Sequence, residues 1–270
     1  NAPWHIAPAF RRPGRFDRHI YVGRPNLEER SQLFSHYLGS VRWDPAVNVG
    51  RMARKAVGKT PADIENLVKE AALIAVRNGR EAVGTRELTE AVERIDLGVS
   101  HRVPMGPGER MRTAFHEAGH LVAIYLTHPT SDVFKASIIQ RGGALGVVHS
   151  VPKEELHTAD KETYLAHIRV ALAGHAAETL RYGSASDGVR SDFAAAMGYA
   201  HDMVWRCGMG PAGLLGDYGM IPKSELSEAL KEKLNAETGK VIHAAGKEAE
   251  ELLRKEWALV ERFARELDQK

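Results

Sequence analysis

His116 and His120 stand four residues apart with a glutamate between them, in His116-Glu117-Ala118-Gly119-His120. On a helix, residues i and i+4 differ by about 40° around the axis, so both imidazoles face one point. Two neutral imidazoles suit Zn²⁺. The intervening carboxylate can take a proton from an activated water and pass it to a leaving amine. With 13 histidines in 270 residues, this pattern arises by chance in on the order of a few per cent of such chains. An unpaired glutamate would also be costly on so apolar a stretch, which favours a metal site.

Two histidines need a third ligand. A glycine at 123 and a histidine at 126 would extend the motif, but Ala123 and Leu126 stand there. Spacing alone leaves His149, His157, His167, His175, Glu178, Asp187, Asp192 and Asp202 open.

The elements that must position these residues read mainly as helix. Glu109–Thr127 carries the motif, with Ala114, Ala118, Leu121, Val122 and Tyr125 on one side. Small Ala118 and Gly119 predict close packing against a neighbouring helix. The segments "VFKASIIQ" and "ALGVVHSV", separated by Arg141-Gly142-Gly143, predict a β-hairpin. Helices follow at about 161–182, 191–206 and 224–254, with a last one to Leu267. Ahead of the motif, four short helices predict a small bundle. They are Leu27–Leu38, Pro45–Lys55, one opened by the cap Thr60-Pro61-Ala62-Asp63, and one from Thr85. The third presents Ile64, Leu67, Ala71, Leu73 and Ile74. The proline- and glycine-bearing stretch near 100–108 separates the two regions.

Composition excludes several classes. A net charge of +2 gives no electrostatic case for nucleic acid. The single cysteine, Cys207, rules out an internal disulfide framework and a multi-cysteine zinc site; it reads as a small buried residue. No apolar run reaches the roughly 18–20 residues of a membrane span. Gly58-Lys59-Thr60 is no phosphate loop, because Ala53 occupies the position where the first glycine belongs.

Taken together, "NAPWHIAPAFRRPGRFDRHIYVGRP", "GKTPADIENLVKEAAL", "RTAFHEAGHLVAIYL", "VFKASIIQRGGALGVVHSVP", "ALAGHAAETLRYG" and "GVRSDFAAAMGYAHDMV" resemble the FtsH family of ATP-dependent zinc metalloproteases, in family order and over nearly the whole chain. The resemblance implies a mainly α fold: a remnant of AAA+ core at 1–23, a helical AAA+ lid at 24–100, and an α-helical zinc peptidase with one small β-hairpin at 104–270. It implies Asp192 as the third ligand beside His116 and His120, Glu117 as general base, and Glu178 beside the site as partner to a ligand histidine. Asn1 matches the family's sensor-1 asparagine, and Arg12 and Arg15 match arginine fingers that act in trans. The hairpin edge is expected to pair with extended substrate.

The resemblance further implies unfolded polypeptide as substrate, a hexameric homo-oligomer, and a cytoplasmic site, at the cytoplasmic face of a membrane in the parent protein. ATP and Mg²⁺ are expected only through an AAA+ core upstream or on a neighbouring subunit. Both ends fall inside family patterns, so a fragment of a longer ATPase–protease is expected, with any membrane spans upstream. The rival expectations are a non-catalytic assembly or substrate-binding subunit of such a ring, and a regulatory AAA+ lid.

Overall fold

The computed structural model describes residues 5–16, 18, 20–98, 105–139, 146–153, 156 and 158–269. Asn1, Arg141-Gly142-Gly143 and His157 lie outside them. The chain divides into two compact units, one running to Val92 and one from Glu93.

In the first unit, the described residues of 5–23 are all exposed, including a 3-10 turn at Pro8–Arg11. A helical bundle follows. Helix α1 (Leu27–Leu38) opens with a capping box between Asn26 and Glu29. Helix α2 (Val49–Lys55) starts four residues later than the sequence predicts, because Asn48 supplies the cap by accepting the Arg51 N–H. Helix α3 (Pro61–Arg77) has the expected box between Thr60 and Asp63. Helix α4 (Thr85–Leu97) contributes buried Leu88, Ala91 and Val92. The core gathers Phe34, Leu38, Met52, Ile64, Leu67, Val68 and Ile74. Leu73 is exposed, contrary to expectation: the stripe through Ile64, Leu67, Ala71 and Ile74 leaves it on the opposite side. Arg30 is buried and clamps α1 to the chain around it, donating to the carbonyls of Ala53 and Pro25 at 2.9 Å each.

The second unit is built around α6 (Lys161–Tyr182), a helix buried on nearly all sides by small residues. One flank packs on α5 (Pro107–Thr127), which itself packs on α9 (Trp257–Gln269), through Ala114, Ala118, Ala173, Ala177 and Val260. The other flank packs on α7 (Arg190–His201) and α8 (Glu228–Lys255), through Ile168, Leu172, Ala200, Leu234 and Val241. The α5–α6 crossing is very close. A Cβ at Gly119 would lie 2.5 Å from the Ala173 carbonyl oxygen and 2.8 Å from the Ala177 Cβ.

Helix α7 passes into a π-helical turn at Asp202–Arg206, which buries Met203, Val204 and Trp205 in succession. Helix α8 begins after its cap Ser227, later than the periodicity predicts. Tyr125, expected on the packed face of α5, is exposed, and so is Cys207, whose Sγ lies 3.7 Å from the Tyr164 hydroxyl. Strands β1 (Ser131–Ser137) and β2 (Val147–Pro152) pair antiparallel, Ser131 with Pro152 and Ser137 with Val147, with an irregularity between Val133 and Lys135. No helix among the described residues is long and apolar enough to cross a membrane.

Candidate active site

The helical spacing on α5 does what it predicts. The two Nε2 atoms of His116 and His120 lie 3.0 Å apart. Oδ2 of Asp192, in the first turn of α7, lies 3.1 Å from the first and 3.6 Å from the second. That oxygen is buried and has no hydrogen bond. Glu117 is buried beside this cluster.

The other ring nitrogens fix what faces the cluster. Nδ1 of His120 is 2.7 Å from the carbonyl oxygen of Val170, which can only accept, so this nitrogen carries the proton. Nδ1 of His116 is 2.9 Å from Glu178 Oε1 and donates to that carboxylate. In their neutral forms both rings therefore turn lone pairs toward each other and toward Asp192. Three electron-rich atoms at this spacing repel unless a cation lies among them. Two imidazole nitrogens and one carboxylate oxygen make a donor set suited to Zn²⁺ in a catalytic site, which takes three protein ligands and leaves one position open. His116, His120 and Asp192 thus fit a zinc ion.

The local electrostatics say the same. Burial works against protonation of His116, but the neighbouring carboxylates of Asp192, Glu178 and Glu117 push it up to about 10, so a proton competes with a metal for this ring. Burial tends to raise Asp192, and the two imidazoles reverse this and hold it well below the usual carboxylate range. The cluster draws positive charge, which a dication satisfies. Burial raises the Glu117 carboxyl above its ordinary value, against the pull of His120 and His116.

Glu178 is fully enclosed, not a surface acid. Besides His116 it accepts from Arg112 Nη1 at 3.1 Å, the Ser186 N–H at 2.8 Å and the Ser186 hydroxyl at 3.1 Å. Burial opposes its ionisation, yet the His116, Ser186 and Arg112 hydrogen bonds bring it down to about 2.

Two glycines hold the surroundings this close. A Cβ at Gly174 of α6 would sit 2.6 Å from both His116 Cε1 and His120 Nε2. One at Gly146, just before β2, would sit 2.5 Å from Glu117 Oε1. Neither glycine, nor the Val170 carbonyl, was visible as a site element from side-chain spacing; "AGH" and "ALG" were the only signals.

His116, Glu117, His120, Gly146, Val170, Glu178 and Asp192 line a cleft of about 800 Å³, which also takes in Val147, Val148, His167, Asp187 and Tyr199. Of the other candidate ligands, His149 lies on β2, His175 packs its ring on Phe193, and Asp202 pairs with Arg206. Arg12 and Arg15 are exposed in the first unit, where Arg15 donates to the Ala9 carbonyl at 3.0 Å.

The family model described as peptidase family M41 matches residues 104–270, and that of the AAA+ lid domain matches 46–90. An ATP-dependent zinc metalloprotease FtsH 3 of Conexibacter woesei is 36% identical over 262 residues, covering 94% of this chain and 35% of the relative. An ATP-dependent zinc metalloprotease FtsH of Rickettsia conorii is 36% identical over 94% of this chain and 42% of the relative. One of Thermobaculum terrenum is 33% identical over 99% of this chain and 43% of the relative. The chain thus spans less than half the length of these curated relatives. A match over more than half the chain, centred on the helices that hold the histidine–aspartate cluster, means that it belongs to peptidase family M41 and carries the zinc-dependent protease domain of an FtsH-like protease.

Proposed function

We propose that the cleft hydrolyses peptide bonds of unfolded or loosely structured polypeptide, with His116, His120 and Asp192 holding Zn²⁺. The observation that carries this reading is the convergence of three lone-pair-bearing atoms beside a buried carboxylate. Bound there, Zn²⁺ supplies Lewis acidity, lowering the pKa of a water and polarising the scissile carbonyl. Glu117 removes a proton from the attacking water as its oxygen bonds to the carbonyl carbon. It returns that proton to the amine as the C–N bond breaks. A carboxyl raised by burial is suited to carry the proton in both directions. Glu178 holds the His116 ring in its metal-facing tautomer, and the Val170 carbonyl does the same for His120.

Strand β2 enters the cleft at Val147 and Val148, with Gly146 just ahead of it. Among the described residues it pairs only with β1. This supports binding of an extended substrate strand through main-chain hydrogen bonds, which select little by sequence.

We assign 1–23 to a remnant of AAA+ core, 24–100 to its lid and 104–270 to the peptidase. The family-model matches at 46–90 and 104–270 support the lid and the peptidase, while the remnant of AAA+ core rests on the family resemblance. ATP-driven delivery of substrate would belong to the whole protein, since the relatives' names include ATP dependence. A hexameric homo-oligomer, Arg12 and Arg15 reaching a neighbouring nucleotide, Asn1 as sensor, and a cytoplasmic site rest on the family resemblance.

The test is cleavage of reduced casein by the zinc-loaded chain, with chelator, and with Glu117→Gln, each with and without ATP. Cleavage that needs metal and Glu117 and ignores ATP is expected. A zinc-replete chain that binds casein without cutting it would instead support a non-catalytic subunit.

A further inference from the structure

His128 and His167 form a pair that the hydrolytic chemistry does not use. His128 follows α5 and is buried; its Nε2 lies 3.1 Å from Nδ1 of His167 on α6. Nδ1 of His128 is 3.0 Å from the Ser131 N–H and 3.3 Å from the Thr130 N–H. Backbone N–H groups only donate, so this nitrogen carries no proton and Nε2 of His128 does. His128 therefore donates to His167 Nδ1. The remaining nitrogen of His167, Nε2, must then bear its proton when the ring is neutral. Burial lowers both imidazoles, His128 to about 4, which keeps the pair uncharged at neutral pH. Two hydrogen bonds from a tight turn thus fix the tautomer of a ring one step away.

That ring faces the catalytic cleft. His167 and Tyr199 both line it, with the rings stacked at 4.7 Å and 10°. Among the described residues, no hydrogen-bond partner falls on His167 Nε2. His167 precedes Val170, whose carbonyl orients His120, by one helical turn, about 4.5 Å of rise. Tyr199 follows Asp192 by two turns on the same face of α7, about 10 Å of rise. An extended chain advances about 3.3 Å per residue. A peptide leaving the metal cluster along this wall reaches His167 within about two or three residues.

We propose that His167 is a substrate-binding residue whose Nε2–H donates to a main-chain carbonyl of the bound polypeptide, with Tyr199 as the apolar shelf beneath the adjoining side chain. The inference rests on reading the cleft as a peptidase site. Within the fold His167 uses only Nδ1, which accepts from buried His128; its Nε2–H is left to the cleft.

The test uses the full chain, zinc-loaded and carrying Glu117→Gln to stop turnover, with a fluorescein-labelled casein peptide. Adding His167→Phe or His167→Met should raise the peptide Kd about three- to tenfold, the loss of one neutral hydrogen bond. His167→Gln keeps an acceptor for His128 and a donor for substrate, and should stay within about twofold of the parent. In the active chain the same changes should appear in KM with kcat held. Zinc content and melting temperature report a folding defect, and the Met variant carries the test if the Phe variant has one. Unchanged Kd in the Phe and Met variants, a Gln variant as weak as Phe, or no peptide binding by the parent would each overturn the inference. Glu117-dependent cleavage with indifferent His167 variants sinks this inference alone. A His167 effect on binding without any cleavage sinks the peptidase reading instead.

Discussion

Oε1 of Glu178 lies 2.9 Å from Nδ1 of His116, joining a fully buried carboxylate on α6 to the α5 ring that faces His120 and Asp192. The same carboxylate takes Arg112 and both donors of Ser186, so one acid braces α5, α6 and the loop ahead of α7. Glu178→Gln keeps the shape, removes the charge and weakens the tautomer lock. Zinc affinity should fall about 10–100-fold, as for other partners of ligand histidines. Competition with a chromophoric chelator measures this. Wild-type affinity in a folded Gln variant would remove Glu178 from the metal site.

Gly174 and Gly146 should fail in different ways. Gly174→Ala puts a methyl 2.6 Å from His120 Nε2 and should abolish zinc binding. Gly146→Ala presses on Glu117 instead, and should retain zinc while kcat drops by an order of magnitude or more. Gly239→Ala, in the exposed interior of α8 with nothing within 4 Å, should stabilise by about 0.5–1 kcal/mol. Zinc content, casein turnover and urea unfolding of the three variants distinguish these outcomes. Equal zinc loss at 146 and 174 would contradict the separate roles.

His128 makes stability depend on pH in a predictable direction. Its folded value is depressed to about 4 from 6.5, first by burial, then by His167, Lys153 and Arg169. Above pH 6.5 neither state binds the proton. As pH falls from 6.5 toward 4, the unfolded chain takes it up and the folded chain does not, so stability declines through that window. The full effect is up to about 3 kcal/mol. Urea midpoints at pH 7, 6 and 5 should fall less steeply in His128→Asn, whose amide oxygen can replace Nδ1 as acceptor. Parallel curves for parent and variant would refute the assignment.

Thr60 tests the capping reading of the Gly58-Lys59-Thr60 segment. Its hydroxyl accepts the Asp63 N–H at the start of α3. Thr60→Ala should cost about 1 kcal/mol and leave any nucleotide affinity of the chain unchanged. A loss of nucleotide binding at full stability would reverse that view.

What could be read from the sequence follows the range of the interactions. The α5 motif is local: its spacing alone brings the two imidazoles together. Thr60, Pro61 and Asp63 likewise announce their own helix start. Asp192 and Glu178 reach His116 only because α6 and α7 fold back across α5, so spacing left them among several candidates and only the family resemblance singled them out. The Val170 carbonyl is main chain and has no residue signature. The tautomer chain from Ser131 through His128 to His167 joins three separate elements, and no periodicity reports it. Leu73, Tyr125 and Cys207 show the converse: a hydrophobic residue near a stripe is not buried unless a partner element covers it.

Helix α7 holds few apolar anchors; of its twelve residues only Ala196 and Ala200 are buried. Its first turn instead meets α5 through Asp192 beside His116 and His120, where the proposed Zn²⁺ would tie the two helices together. Metal occupancy would therefore act as a latch on a helix with little grip of its own. Chelation should speed amide exchange in α7 well before α5 or α6 responds, and limited proteolysis should nick first around 184–201. Loss of the ion would then cost the chain both its proposed chemistry and the fastening of the helix that carries Asp192, so that inactivation and local unfolding would begin with the same event.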